Sequence, residues 1–463
     1  MKLVLVAYDF PPTPSPQSLR WAYLTRELAI AGHDVEVIAP DVPGYGAGGL
    51  PPLPESVVVH RVFPGRLSRL VMGRQKSARD QQFRAKFDVV NVRFAASEGI
   101  FFGAKEELNW KGRLRKRIEK AIGIKDGLNW KGALAEKLKN IASSQVYPDH
   151  RVEWVPYAVD KLDELLASSR PDAVIVSHEP ACTLPVGLAA AQRGLKLVVD
   201  MGDPVLAPYT PRKWMEKAFE LERAVCQAAS FVSVTTEAAA DLLMSRHALD
   251  SDKLLVLKQG YDPGFIAEQQ DALIKFDSNR VELLYTGSFY SFRRADYLIR
   301  AICSVREVRL TVATISAPDY LLEAADRFPE SIRIVGFLPH RAALAAQRSC
   351  DVLVNLANSD PVQIPGKIFE YLGAEKPILH LRGDRIDATG KILREVGGGW
   401  ELAADGDGLN SLLEEIKCLK ASGDIHRYVA PHHLVGEFAW PTLSEKWAAK
   451  LQHSLVSSGG SRG

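Results

Sequence analysis

The sequence has 463 residues, 46% hydrophobic and 25% charged, the composition of a soluble globular protein long enough for two domains with separate cores. It holds no run of about 18 or more apolar residues, which argues against a membrane-spanning helix, and charges at Lys2 and Asp9 come too early for a secretory signal. Net charge is +2, yet the stretch from Arg61 to Lys139 carries 20 Lys/Arg against 8 Asp/Glu, a balance of +12 that leaves the remainder at −10.

The first 40 residues read as an apolar strand, an abrupt turn, a helix and a second strand. In the turn "PPTPSPQS", Ser15 is placed to cap a helix and Pro16 to occupy its first position. Leu19, Tyr23, Leu24 and Leu28 then form a buried stripe, and Gly32 stops the helix. The turn lacks a glycine-rich fingerprint, so a tightly cradled pyrophosphate is not expected there. The amides of Gln17 and Ser18 are expected to be free at the carboxyl edge of the sheet, where a helix start can meet a ligand. Further strand-like runs follow: "SVVVHRVF", "DVVNVRF", "DAVIVSH", "LKLVVDMG" and "SFVSVTT".

Between about 104 and 150 this alternation stops. "LNWKG" occurs at 108–112 and 128–132, too few copies for a repeat architecture, so the segment reads as an inserted helical arm. Within it, "GRLRKRIEKAIGI" sets Leu114, Ile118 and Ile122 on one stripe among Arg113, Arg115, Lys116, Arg117 and Lys120. With Trp110 and Trp130 nearby, that is the composition of an interfacial helix, although a solvated helical surface has the same charges. No nucleic-acid module accompanies the tryptophans, and nucleic acid is not expected as a partner.

A second set of strand-like runs begins after "VLKQGYDPGFI", where Gly260, Pro263 and Gly264 mark a boundary: "VELLYTG", "VRLTVAT", "IRIVGFL", "DVLVNLA" and "KPILHLR". Strands alternating with helices in two blocks predict two parallel α/β sheets. A late helix is expected over 437–455, followed by a disordered tail. "DGD" at 405–407 is read as a helix start capped by Asp407 rather than a metal motif, and His432-His433 has no second ligand pair, so no metal site is expected. Five scattered cysteines argue against disulfides and suit small core side chains in a reducing cytosol.

The most informative stretch is "SDPVQIPGKIFEYLGAEKPILHL", 359–381. Gly366 permits close backbone approach, a helix starts near Lys367, and Glu370 on its first turn suits ribose hydroxyls better than phosphate. "PGKIFEYLGAEKPIL" resembles the P-x-K-x-x-E-Y-x-x-x-x-K-P-I signature of the group 1 glycosyltransferases, the retaining glycosyltransferase family 4. "VSHEP", "VTTEAAADLL", "LKQGYDPGF" and "YTGSFYSFRRADYLIRAI" resemble further family segments in the same order, as does the opening unit with its "PP", Arg20 and "GHDVEVI".

The resemblance implies a GT-B fold, two Rossmann-like parallel-sheet domains facing a cleft. Its boundaries here are 1–262 for an acceptor-side domain with the helical insertion at about 104–150, and 263–436 for the nucleotide-sugar domain. Residues 437–456 would be a C-terminal helix that could return to the first domain, and 457–463 a tail. It implies catalytic roles for His178, Arg293 and Lys367, ribose binding by Glu370, and base contacts from Val335, Gly336 and Phe337. Phosphates would approach Ile364, Pro365 and Gly366, with Ser288 and Arg294 beside them and Ser15, Gln17 and Ser18 lining the acceptor side. The sequence departs from the family at three places: Val362 replaces the first glutamate of its E-x7-E pair, Ser288 replaces an arginine, and Gln259 an asparagine.

The activity so implied is retaining transfer from a nucleotide-diphosphate sugar to a lipid-linked saccharide in cell-envelope or exopolysaccharide assembly, without a metal or other cofactor. The protein is then expected in the cytoplasm, peripheral on the inner face of the membrane, its anionic surface met by residues 61–139. A soluble acceptor or an inactive GT-B scaffold are the alternatives.

Overall fold

Strands form where short aliphatic and β-branched runs can be buried, and the computed structural model places thirteen of them, among the described residues, in two sheets. It describes residues 1–13, 15–42, 50–66, 68–69, 147–289, 295–358, 363–383, 387–403 and 408–457. The "DVVNVRF" strand, the helical arm with Trp110 and Trp130, and the disordered-tail reading of 458–463 lie outside the described residues.

The first sheet contains β1 (Lys2–Val6), β2 (Asp34–Pro40), β3 (Val58–Val62), β4 (Ala173–Ser177), β5 (Leu197–Met201), β6 (Phe231–Val234) and β7 (Leu254–Val256). Its order is β3-β2-β1-β4-β5-β6-β7 and every pairing is parallel, with Val4 registered against Glu36 on one side and Val174 on the other. The second holds β8 (Val281–Thr286), β9 (Val308–Ala313), β10 (Ile332–Gly336), β11 (Val352–Leu356), β12 (Ile378–Arg382) and β13 (Gly399–Ala403), in the order β10-β9-β8-β11-β12-β13, also parallel. In both sheets the order reverses beside the first strand, between β1 and β4 and between β8 and β11. Open α/β sheets take ligands beyond the carboxyl ends of the strands at such points. The expected strands among the described residues all form; β7, three residues long and ending at Val256 where the boundary segment begins, was not among them.

Alternation along each strand feeds two cores. Val4, Val6 and Tyr8 face a layer with Leu162, Leu184 and Val225, while Leu3 and Leu5 face Trp21, Leu24 and Leu28. The helix Pro16–Ile30 is nevertheless buried well beyond its predicted stripe, because a second helix covers its outer side. That cover is Trp440–Ser457, whose Trp440, Leu443, Trp447 and Leu451 recur on one face and sit in the core of the first sheet. Trp447 meets Trp21 edge-on at 6.1 Å, and Trp440 stacks on Tyr23 at 5.4 Å and 9°.

The chain therefore passes between the sheets twice, and the two crossings run side by side. The Tyr261 amide donates to Phe438 O at 3.1 Å and the Trp440 amide to Tyr261 O at 3.0 Å. A side chain at Gly260 would meet Phe438 O at 2.6 Å, so glycine is required for this approach. Arg26 adds an ion pair to Asp262 at 2.7 Å. Two smaller expectations are corrected: the helix Leu409–Ser422 is capped by Gly408 rather than Asp407, and Cys418 is exposed, although Cys182, Cys226 and Cys350 are buried.

Candidate active site

Loops from the carboxyl ends of β1, β4 and β5 meet the start of helix Pro16–Ile30 in a cleft of ≈ 370 Å³. Its lining includes Asp9, Ser15, Gln17, Asp149, Arg151, His178, Glu179 and Tyr209. Ser15 caps the helix with its Oγ accepting from the Ser18 amide at 3.0 Å, and Pro16 follows at the first position. Ser18 is thus corrected: it is fully buried and its amide is taken by the cap, so it offers nothing to the cleft. Ser15 and Gln17 do line it.

His178 directly follows β4, its amide donating to Asp200 O at 2.8 Å. The next amide, that of Glu179, donates to His178 Nδ1 at 2.6 Å. An acceptor at Nδ1 in a neutral ring assigns the proton to Nε2. Burial pushes the imidazole down to about 4, so at neutral pH the ring presents an uncharged N–H donor. Beneath it, Arg20 Nε and Nη2 each donate to Asp200 at 2.9 Å, with Trp21 Nε1 and Ser233 Oγ completing the carboxylate. Arg20, part of the motif in the opening unit, is a fully buried structural ion that fixes the floor under His178.

Glu179 sits in the left-handed region at φ 72°, a conformation that costs about 1–3 kcal/mol for a non-glycine residue. Its carboxylate holds two loops together, accepting from Gln17 Nε2 at 3.2 Å and from the Asp203 amide at 3.2 Å. Burial, then the neighbouring Asp203 charge, push its carboxyl up to about 7. Asp203 in turn accepts from Tyr209 OH at 3.2 Å and, across the two sheets, from Gln363 Nε2 at 3.4 Å.

On the second sheet, Lys367 opens the helix Lys367–Gly373 and reaches the end of β8. There its Nζ donates to Thr286 O at 3.1 Å and lies 3.8 Å above the Tyr285 ring. This is the reversal point between β8 and β11. Gly287, at φ 141°, leaves room for the ammonium, which would stand 3.1 Å from a side-chain carbon there. Glu370, one turn on, faces His340 Nε2 at 2.9 Å, and His340 contacts the Tyr23 ring edge-on at 6.3 Å. Gly366 packs on Gln259, whose Cγ would lie 3.2 Å from an added Cβ, while Ile364 joins the core beneath and Pro365 O accepts from the Ile368 amide. Val335 and Gly336 end β10, Gly336 at φ 74°, with Phe337 next. Ser288 follows β8 and its carbonyl accepts from Tyr285 OH at 2.9 Å. Arg293, Arg294 and Val362 lie outside the described residues.

The structure thus gathers Ser15, Gln17 and His178 at one sheet edge, and Lys367, Glu370 and Ser288 at the other. It adds Asp9, Asp149, Arg151, Glu179, Tyr209 and His340. Asp9 was findable as a carboxylate directly after a strand, and Glu179 stands within the quoted "HEP". Asp149 and Arg151 follow the arm without a signal, and His340 is a lone histidine at a helix start.

Residues 132–260 match the family model described as "Glycosyl transferase 4-like domain". The chain carries a glycosyl transferase 4-like domain. The described part of that match runs from residue 147 through the helix Val155–Ser168 and β4 to β7, and includes the loop bearing His178 and Glu179. No curated protein sequence matches the chain. Among solved structures it is similar to sucrose-phosphate synthase from Thermosynechococcus elongatus, with TM-score 0.62, 13% identity, and 99% of this chain and 100% of that one covered. It is similar also to Anabaena HepE in complex with UDP-glucose, with TM-score 0.57, 12% identity and coverage of 98% and 100%. A third is WaaG, a glycosyltransferase involved in lipopolysaccharide biosynthesis, with TM-score 0.54, 13% identity and coverage of 97% and 99%. At these identities the likeness is one of fold: two parallel α/β sheets in the GT-B arrangement. Among the described residues, no helix is long and apolar enough to cross a membrane.

Proposed function

We propose that the chain is a retaining glycosyltransferase that moves a sugar from a nucleoside-diphosphate sugar to a saccharide acceptor. The observation that carries this reading is Lys367 Nζ at the end of β8, the reversal point of the second sheet, with Glu370 one turn along the same helix. A cation and a carboxylate so spaced match the two halves of a nucleotide, diphosphate and ribose. As the nucleoside diphosphate departs, negative charge grows, and the fixed Lys367 ammonium stabilises it without a metal ion; Arg293 and Arg294 are assigned the same task. His178 donates from Nε2 to a hydroxyl of the donor sugar. Val335 to Phe337 flank the base, and Ile364 to Gly366 border the phosphates. The acceptor hydroxyl enters on the vacated face, and the departing phosphate takes its proton.

HepE binds UDP-glucose, which makes a UDP-sugar the first donor to test. A lipid-linked acceptor in cell-envelope assembly fits the +12 stretch at residues 61–139, whose cations would hold the enzyme on anionic lipid at about 1 kcal/mol each. Thermal stabilisation by UDP-, GDP- and dTDP-sugars, followed by donor hydrolysis, tests the reading. One nucleotide sugar should raise the melting temperature and be slowly hydrolysed. No stabilisation by any of them would sink the transferase.

A further inference from the structure

The cleft on the first sheet is rich in carboxylates. Asp9, Asp149 and Glu179 line it, and Asp203 stands behind Glu179. Among the described residues Arg151 is the cation in this lining, and Asp149 balances its charge. Its Nε lies 3.8 Å from Asp149 Oδ2, its amide donates to Asp149 Oδ1 at 2.7 Å, and its guanidinium covers the Tyr8 ring at 5.5 Å. Among the described residues, little positive charge is left for an incoming anion.

Two further side chains show that the cleft is built for a ligand. His178 is 7% exposed with Nδ1 already bonded, and among the described residues Nε2 makes no hydrogen bond. Gln17 is 4% exposed, gives its Nε2 to Glu179, and leaves Oε1 buried without a partner. Buried polar groups are nearly always paired; the reading above gives His178 Nε2 to the donor sugar, so it is Gln17 Oε1 that calls for a second occupant bearing a hydroxyl or ammonium.

We propose that this cleft takes an uncharged or amino-bearing saccharide as the acceptor and rejects a phosphorylated one. The proposal rests on the transferase reading above and narrows its acceptor. With Asp149 spent on Arg151, the carboxylate left over is Asp9, which accepts hydrogen bonds from sugar hydroxyls and attracts an ammonium. A phosphomonoester brings a charge of about −1.5 to −2 against it, and half-buried like charges repel. A lipid-linked acceptor satisfies the rule when its terminal sugar enters and its diphosphate stays outside.

The test uses the full chain without donor, followed by saturation-transfer NMR with methyl glucoside, glucosamine and glucose 6-phosphate. UDP affinity is measured separately by calorimetry. Methyl glucoside and glucosamine should bind, with glucose 6-phosphate at least about tenfold weaker. That discrimination should shrink as salt is raised, and in the isosteric double variant Asp9→Asn/Asp149→Asn. If the variant does not fold, the salt series on the unmodified chain still decides. Glucose 6-phosphate binding as well as methyl glucoside, or no saturation transfer to any probe, overturns the proposal. Retained UDP binding in that case confines the failure to the acceptor class, whereas absent UDP binding removes the transferase reading itself.

Discussion

Replacing Glu179 by glutamine should stabilise the protein, and only at high pH. The carboxyl is displaced from 4.5 to about 7, by burial first and by the Asp203 charge second. A carboxyl raised in this way binds its proton more tightly in the folded chain. Its contribution is complete below about pH 4.5 and is lost as pH rises through about 7. The displacement corresponds to about 3 kcal/mol when the group is fully ionised. Partial exposure screens it, so about 1–3 kcal/mol is the expected range. Glutamine keeps the size and carries no charge. Its Oε1 can accept from the Asp203 amide, and a flipped Gln17 amide would turn its orphan Oε1 toward the new Nε2. Urea unfolding followed by tryptophan fluorescence at pH 5, 6, 7 and 8 gives the comparison. Glu179→Gln should exceed the unmodified chain by about 1–3 kcal/mol at pH 8, with the gap closing toward pH 5. Asp9, whose carboxyl is also raised by burial, is common to both proteins and cancels. A gap independent of pH, or a variant less stable at pH 8, would refute the argument.

Glu370→Ala should weaken UDP binding by about 1.5–3 kcal/mol in calorimetry while the fold persists, since a pocket carboxylate adds little to a core. Lys367→Ala should lower turnover at saturating donor more than it raises donor KM, because its partner charge grows in the transition state; steady-state kinetics separates the two. His178→Ala should keep donor affinity and lose transfer, checked by pairing calorimetry with a transfer assay. Trp447→Ala, at a fully buried position, should cost about 3–5 kcal/mol in denaturant unfolding.

The sheets were legible because each buried strand is a short apolar run with turn residues on either side. The grouping of Gly366, Lys367 and Glu370 beside β8 was legible because the three fall within one continuous stretch, so their spacing survives folding. The cleft on the first sheet was only partly so. Ser15 and Pro16 announce a helix start by local chemistry, but Asp149, Arg151 and Glu179 converge from loops that only the tertiary fold joins. Ser18 misled for a local reason: the hydroxyl that caps the helix also takes the amide the ligand was to use. The deep burial of Pro16–Ile30 could not be read from its own residues, since its second cover is supplied by Trp440–Ser457.

That cover sets an order on biosynthesis. The face carrying Trp21 and Leu24 waits, during translation, for a segment made some four hundred residues later, and until then presents aromatic and aliphatic surface to the cell. A nascent chain is therefore committed to finishing its first half last. The same topology constrains recombination. A chimera that exchanges the second sheet and its helices with those of another protein should return to the native sequence by Trp440, so that the host keeps its own closing helix.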